Sequence, residues 1–357
     1  MGKLSAGGGG RKNHFSIPLG LDRHCFPAGF VIYCNHIDYS TPRREVPYDM
    51  INLSQRMVAL GTAKSEIREA FAFAQARAAA VGPEQVDDFS IGNPSVPAPD
   101  TVKELVHQLM DTVDPVKLHG YTPAQGEASV RQALADDLNR RYGTGYTADH
   151  FYLTAGAAGA LCCALSALGC PGDQFLTFAP YFPEYKVFVE SAGAQLVAVP
   201  ARLEDFQIDF AALEAALSPQ VKGVIINSPN NPTGVVYSQE TIRRLAQMLG
   251  EKSRAYGHPI WLISDEPYRE IVYQTAPLPW VPDFYDNTLV CYSYSKSLSL
   301  PGQRIGYVLV PPQAEEADLV YAAICGAGRA LGYVCAPSLF QLVVARCAGQ
   351  TADMAVY

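Results

Sequence analysis

The sequence has little of several features that mark particular classes of protein. Its nine cysteines include no CxxC pair. In so long a chain this favours reduced thiols, as in the cytoplasm, over a disulfide framework. Basic residues are outnumbered, 27 Lys and Arg against 35 Asp and Glu, which gives a formal net charge of -8. This balance argues against nucleic acid or an anionic membrane surface as the main partner.

Long apolar runs are also missing. The longest, "LTAGAAGALCCALSALG", is rich in Gly and Ala and is bounded by "CPGD". It is short for a membrane span, and a buried helix is expected instead. The N-terminus has "GGGGRKNH" where a signal peptide would have its apolar segment. We therefore expect a cytoplasmic protein that does not bind membranes, and we expect residues 1–48 to be a disordered or non-native extension.

Short apolar runs alternate with helical patterns through most of the chain. Because several of these runs are wholly apolar, the pattern predicts an α/β fold with a mostly parallel sheet covered by helices on both faces. Ligands of such sheets lie at the carboxyl ends of the strands. The seven runs are "HFYLT", "QFLTFA", "QLVAVP", "VKGVIIN", "IWLIS", "TLVCYSY" and "IGYVLV".

The first two strand ends carry weak signals. After "HFYLT", the residues Gly156, Ala157 and Ala158 open a helix whose free backbone N–H groups could hold a phosphate, although a tight strand-to-helix turn would explain them equally well. After "QFLTFA", Phe182 in "PYFPEY" could stack on a planar ligand or belong to the aromatic core.

The next two strand ends carry an amide and an acid. Asn231 in "SPNNPTG" fits a turn, or an amide that donates to an oxyanion. Asp265 ends an apolar strand, where it could cap the next segment or pair with a buried cation. Tyr268 follows three residues later and could reach the same site.

The fifth strand end is "SYSKSLSLPGQRIGY". Lys296 could be a solvated surface group, or an amine in a desolvated site that attacks a carbonyl. Arg304 could bind a phosphate through two hydrogen bonds, helped by Ser293 and Ser295. Taken together, the five strand ends match one ligand, a phosphorylated aromatic aldehyde with a phenolic oxygen and a ring nitrogen.

The order and spacing of these segments resemble the fold-type I pyridoxal-phosphate enzymes, specifically the class I/II aminotransferases of the aspartate and aromatic type. The resemblance runs from about Met50 to Tyr357. It implies a homodimer with shared active sites, an N-terminal arm and part of a small domain at 49–96, and a large cofactor-binding domain at 97–357. The motifs that carry it are "YTPAQG", "TAGAAGAL", "PYFPEY", "NSPNNPTG", "SDEPY" and "SYSKSLSLPGQRIGY".

The resemblance also implies a role for each site residue. Lys296 would form a Schiff base with pyridoxal 5'-phosphate and then move a proton, and Asp265 would pair with the ring nitrogen. Asn231 and Tyr268 would bind the phenolic oxygen, and Phe182 would stack on the ring. Other residues would hold the phosphate or face the substrate. The phosphate set is Gly156, Ala157, Ala158, Ser293, Ser295 and Arg304, with Tyr121 from the neighbouring subunit, and Asn93 belongs to a substrate-side loop.

The chain departs from the family pattern in two places. Ala158 stands where the family often has Ser or Thr, which removes one phosphate contact. The helical pattern "SLFQLVVARCAGQTADMAVY" stops without a cap, so we expect a truncated chain with an incomplete small domain and without the arginine that binds the substrate carboxylate. The expected activity is transfer of an amino group between an L-amino acid, of aspartate or aromatic type, and a 2-oxo acid. A β-lyase, or a cofactor-binding chain without turnover, are the alternatives.

Overall fold

A computed structural model describes residues 53–62, 66–88, 90, 92–273 and 278–353. The chain divides into two units, Met1–Ile91 and Gly92–Tyr357. The extension predicted for residues 1–48 lies outside the described residues, and the domain boundaries drawn from the sequence stay predictions.

The described part of the first unit is helical. Helix α1 spans Gln55–Thr62, α2 spans Glu66–Val81, and a single 3₁₀ turn follows at Pro83–Gln85. The Pro at the first position of this turn suits it, because the missing N–H would have no partner there.

Seven strands in the described residues form one sheet, in the order β1-β7-β6-β5-β4-β2-β3. β7 runs antiparallel to β1 and β6, and the other neighbouring pairs are parallel. The mostly parallel seven-stranded sheet is confirmed, and each apolar run holds one strand. The strands are β1 Phe151–Thr154, β2 Gln174–Ala179, β3 Gln195–Pro200, β4 Val221–Asn227, β5 Trp261–Asp265, β6 Thr288–Ser293 and β7 Gly306–Leu309.

The helices of the second unit begin and end at local signals in the sequence. Gly143 and Gly257 adopt left-handed φ values of 69° and 76° and end α5 and α9, and the Ser238 side chain caps α9 by accepting from Thr241 N–H. The helices are α3 Asp100–Thr112, α4 Pro115–His119, α5 Ala128–Tyr142, α6 Gly156–Leu168, α7 Glu184–Ser191, α8 Phe210–Ala216, α9 Gln239–Tyr256, α10 Tyr294–Ser297, α11 Ala317–Ala330 and α12 Ser338–Arg346.

Both faces of the sheet are buried. On one face Phe151 and Leu153 of β1 join Tyr292 of β6 in a core with residues of α3, α5 and α12. On the other face Tyr152 and Cys291 lie in a core with residues of α6 and α11. This alternation along each strand places helices on both sides, so the edge where the parallel strands end is left for a ligand. Among the described residues, no helix is long and apolar enough to cross a membrane.

Candidate active site

A cavity of about 190 Å³ lies at the edge of the sheet where the parallel strands end. It is lined by ten of the thirteen residues proposed from the sequence, which the fold brings together from five separate segments. The lining residues are Ala157, Ala158, Leu161, Phe182, Asn227, Asn231, Asp265, Pro267, Tyr268, Ser293, Ser295, Lys296, Pro301 and Arg304.

Asp265 is the buried acid of the site. It is the last residue of β5, and only 5% of its surface is exposed. One carboxylate oxygen accepts a hydrogen bond from the Tyr185 hydroxyl at 2.5 Å, and the other, Oδ1, is buried without a partner among the described residues. Burial raises the pKa of this carboxyl to about 7, although the Tyr185 hydrogen bond lowers it. A buried carboxylate oxygen without a partner is costly, so Asp265 is ready to accept a hydrogen bond from a cationic donor.

An ordered network of polar groups lies beside this acid. Asn227, at the end of β4, donates through Nδ2 to the Asp265 backbone carbonyl at 2.7 Å and accepts from Asn231 N–H at 2.6 Å. Asn231 in turn donates to the Tyr268 hydroxyl at 3.3 Å. Because the Tyr268 oxygen accepts this bond, its own proton remains available to a ligand oxygen in the cavity.

Lys296 lies just beyond β6, in the single turn α10, and is half-buried. Its ammonium donates to the backbone carbonyl of Gly92. Burial, with a further contribution from the nearby Arg304 cation, lowers the pKa of Lys296. Both effects favour the neutral amine, which is the form that attacks a carbonyl.

Close contacts surround the guanidinium of Arg304, which lines the cavity. Gly156 opens α6 with a φ of 76°, and a Cβ atom there would lie 3.2 Å from Arg304 Nη2. A Cβ on Gly306, at the start of β7, would lie 3.0 Å from the Gly156 backbone. Since neither glycine carries a side chain, the guanidinium of Arg304 comes close to the N-terminus of α6, where it also donates to the carbonyls of Pro301 and Ala155. An arginine beside a helix N-terminus is suited to bind an anion.

Two hydroxyls and an aromatic ring complete the lining. Ser293 and Ser295 lie on either side of Tyr294 and are buried, and the Ser293 side chain caps α10. The Phe182 ring packs edge-on against Tyr185, with ring centroids 5.6 Å apart, and borders the cavity close to Asp265.

Three residues proposed from the sequence do not line this cavity. Gly156 is buried next to Arg304, which does line the cavity. Asn93 is exposed, and Tyr121 is 94% exposed. The proposed roles of Asn93 and Tyr121 therefore stay predictions.

The structure adds residues that the sequence did not reveal. Tyr185 and Asn227 lie inside the motifs "PYFPEY" and "NSPNNPTG", yet their contacts with Asp265 join residues 80 and 38 positions apart. The Gly92 carbonyl meets Lys296 across 204 positions. A close approach between distant segments leaves no pattern in a single sequence, although the two motifs did point to the right places.

Comparison with known proteins gives a consistent result. Residues 84–354 match the family model described as "Aminotransferase class I and II". The chain is 32% identical over 243 residues to the aspartate/prephenate aminotransferase of Cereibacter sphaeroides, an alignment that covers 66% of this chain and 58% of the relative. It is 30% identical to the arginine–pyruvate transaminase of Pseudomonas aeruginosa, covering 68% of this chain and 60% of that protein. The chain thus spans about three fifths of these relatives' length.

Solved structures agree with these matches. An amino transferase from Eubacterium rectale superimposes with a TM-score of 0.84 at 56% identity, covering 86% of this chain and 77% of that one. The aspartate aminotransferase of Thermus thermophilus with maleate superimposes with a TM-score of 0.70 at 26% identity, covering 83% and 72%. The family match spans most of the chain, and the fold agrees with it, so this protein belongs to the class I and II aminotransferase family.

Proposed function

We propose that this chain binds pyridoxal 5'-phosphate at the cavity and transfers an amino group between an L-amino acid and a 2-oxo acid. The observation that carries the proposal is the Asp265 Oδ1 atom, which is buried without a hydrogen-bond partner among the described residues, in a residue that lines the same cavity as Lys296. A protonated pyridine nitrogen supplies the donor that this atom lacks, and the aldehyde of the same ligand supplies a carbonyl for the Lys296 amine.

The polar groups around Asp265 fit the ring of the cofactor. Asp265 would hold the ring nitrogen, Asn231 and Tyr268 would bind the phenolic oxygen, and Phe182 would cover one ring face. Tyr185 donates to the second oxygen of Asp265 and so supports the ionised form of this acid. When bound, pyridoxal phosphate supplies an aldehyde that accepts an amino group and a ring that withdraws electrons from the substrate Cα.

The phosphate would lie between the N-terminus of α6 and Arg304. The backbone N–H groups of Gly156, Ala157 and Ala158 and the hydroxyls of Ser293 and Ser295 complete this group, and the glycine backbone leaves room for it. The methyl group of Ala158 gives no hydroxyl contact, so the phosphate would depend more strongly on the guanidinium.

Lys296 is proposed to anchor the cofactor and then to carry the proton. Its lowered pKa keeps a larger fraction of the amine neutral near pH 7, which both the attack on the aldehyde and the removal of a proton from the substrate Cα require. The Gly92 carbonyl holds the Lys296 nitrogen at the cavity until a ligand replaces that contact.

The substrates and the assembly are proposed from the relatives. Their names specify aspartate, prephenate, arginine and pyruvate as substrates, and an aspartate-type or aromatic amino acid is the substrate class we propose here. Asn93 is proposed to face the substrate. We also propose a cytoplasmic homodimer in which Tyr121 reaches the phosphate of the partner subunit.

Spectroscopy tests the proposal. Pyridoxal phosphate added to the chain is expected to give the visible absorbance band of a lysine-bound cofactor. The Lys296→Ala variant should lose the band, whereas Lys186→Ala, at an exposed lysine, should keep it. A parent chain without the band would contradict the proposal.

A product assay tests the reaction. With an amino acid and 2-oxoglutarate, the loaded chain is expected to release glutamate in proportion to the 2-oxo acid formed from the donor. Ammonia and pyruvate in place of glutamate would identify a β-lyase and overturn the transfer reaction.

A further inference from the structure

A buried tyrosine lies beneath the turn that carries Lys296. Tyr292, on β6, is 5% exposed and points to the face of the sheet opposite Asp265's partner Tyr185. Its hydroxyl is 2.9 Å from Glu270 Oε2 and 2.8 Å from Ser297 Oγ. A phenol has one proton and a carboxylate can only accept, so Tyr292 donates to Glu270 and accepts from Ser297.

Glu270, at one end of this chain of hydrogen bonds, is held by a residue of helix α5. Glu270 Oε1 lies 3.1 Å from Arg141 Nη2 on α5, and the Glu270 side chain is 10% exposed. A charge-assisted contact in so buried a place is stronger than its counterpart at the surface. Glu270 therefore holds the Tyr292 hydroxyl in one position.

The other end of this chain of hydrogen bonds is Ser297, the last residue of α10 and the neighbour of Lys296 in the sequence. Ser297 is 2% exposed, and its carbonyl accepts from Ala352 N–H at 2.6 Å. A helix of four residues is not stable by itself. Its geometry must come from contacts such as these, and the Ser297 hydroxyl is the one that faces the sheet.

We propose that Tyr292 is a positioning residue, which acts through Ser297 to hold the Lys296 turn in the orientation that cofactor attachment requires. This inference rests on the proposed function, because it assigns a role to Tyr292 at the same site. Tyr292 does not line the cavity. Its effect on Lys296 therefore passes through Ser297 and α10.

Hydrogen exchange on the cofactor-free chain tests the first step. The amides of Leu298, Ser299 and Leu300 donate to carbonyls of α10. In Tyr292→Phe these amide hydrogens are expected to exchange about tenfold faster, because the buried Ser297 hydroxyl then loses its hydrogen bond to Tyr292. The matched control is Tyr307→Phe. Its ring stacks on Tyr292 at 5.1 Å and is equally buried, but its hydroxyl makes no hydrogen bond within the described part of the chain, so its exchange rates should equal those of the parent.

A double-mutant cycle tests the path to the cofactor. Tyr292→Phe is expected to weaken the affinity for pyridoxal phosphate about tenfold and to alter the visible circular dichroism of the bound cofactor. In a Ser297→Ala background the same change should weaken the affinity by less than about twofold, because the contact is already lost. Tyr307→Phe should change neither the affinity nor the spectrum in either background.

The outcomes separate this inference from the proposed function. A parent chain without the absorbance band would contradict the proposed function. The hydrogen-exchange measurement would then still test whether Tyr292 holds the Lys296 turn. A parent with the band, together with parent-like affinity in Tyr292→Phe, overturns the role of Tyr292 alone. Equal losses for Tyr292→Phe in both backgrounds also overturn it, since Tyr292 would then not act through Ser297.

Discussion

At the scale of single residues, the site depends on a carboxyl group in an unusual environment. Asp265 is surrounded by protein, so its charged form loses most of its hydration, and the Tyr185 hydroxyl replaces only part of it. The pKa of about 7 in the folded chain compares with an ordinary value of 3.8. The folded chain therefore keeps a proton on Asp265 at pH values where the unfolded chain has lost it.

This difference predicts how stability depends on pH. Between about pH 4 and pH 7 the folded state binds the extra proton, so the free energy of unfolding should fall as the pH rises, by about 4 kcal/mol from this group. The Asp265→Asn variant should lose that part of the dependence. Urea unfolding of the cofactor-free chain at several pH values measures it.

The matched control is Asp286→Asn, at an exposed aspartate. It should show the same pH dependence as the parent. If Asp265→Asn also followed the parent curve, the folded-state pKa of Asp265 would be close to its ordinary value and the buried-acid interpretation would be wrong.

At the scale of elements, the start of α6 is the most constrained connection in the site. Gly156 has a left-handed φ, and the guanidinium of Arg304 crowds the space that a side chain would occupy. Only glycine satisfies both conditions without strain. The sequence signal "TAGAAGAL" is thus explained by backbone geometry as well as by the proposed anion site.

The Gly156→Ala variant should be less stable than the parent by about 1–2 kcal/mol, because alanine disfavours the left-handed conformation. Its affinity should fall more for pyridoxal phosphate than for pyridoxal, which has no phosphate. Urea unfolding and cofactor titration measure the two effects.

A second glycine provides the comparison. A Cβ on Gly326, in the exposed part of α11, would meet nothing within 4 Å. Gly326→Ala should therefore add up to about 1 kcal/mol of stability through helix propensity and leave both affinities unchanged. Equal stability of the two variants would contradict the account of Gly156.

At the scale of the whole molecule, one proposed site residue projects into solvent. Tyr121 is 94% exposed and does not line the cavity. In this position the Tyr121 hydroxyl is free to donate a hydrogen bond to a second molecule. A partner subunit whose phosphate site receives the Tyr121 hydroxyl would be such a molecule.

This arrangement predicts complementation between two defective chains. Tyr121→Phe should bind pyridoxal phosphate about tenfold more weakly, through loss of a charge-assisted hydrogen bond, and Lys296→Ala should give no lysine-bound cofactor. Refolded mixtures should regain parent-like sites, because a mixed dimer pairs an intact Lys296 with an intact Tyr121. Absorbance titration of the mixture measures this.

Tyr273→Phe, at another exposed tyrosine, is the control and should bind the cofactor as the parent does. Sedimentation shows whether dimers are present. Dimers whose mixtures regain no sites would exclude Tyr121 from the partner's phosphate.

The sequence was sufficient to predict the elements and most of the cavity, because both depend on local patterns. Apolar runs marked each of the seven strands in the described residues. Contacts such as Tyr185 with Asp265, or Tyr292 with Ser297, depend on which side chains meet after folding. The direction of β7 was also beyond a pattern of apolar residues, since parallel and antiparallel strands differ mainly in their connections.

The reversal of β7 has a mechanical consequence. Because β6 and β7 form a hairpin, with Ser293 opposite Gly306, the chain leaves and re-enters the sheet at the same edge. Lys296 and Arg304 both lie on that one hairpin connection, eight positions apart. The distance from the Lys296 amine to the Arg304 guanidinium is therefore set by a single loop, and it limits the length of the ligand that can contact both groups. A residue inserted or deleted between them would change the length of molecule that the site accepts, while the sheet and the helices around it stayed as they are.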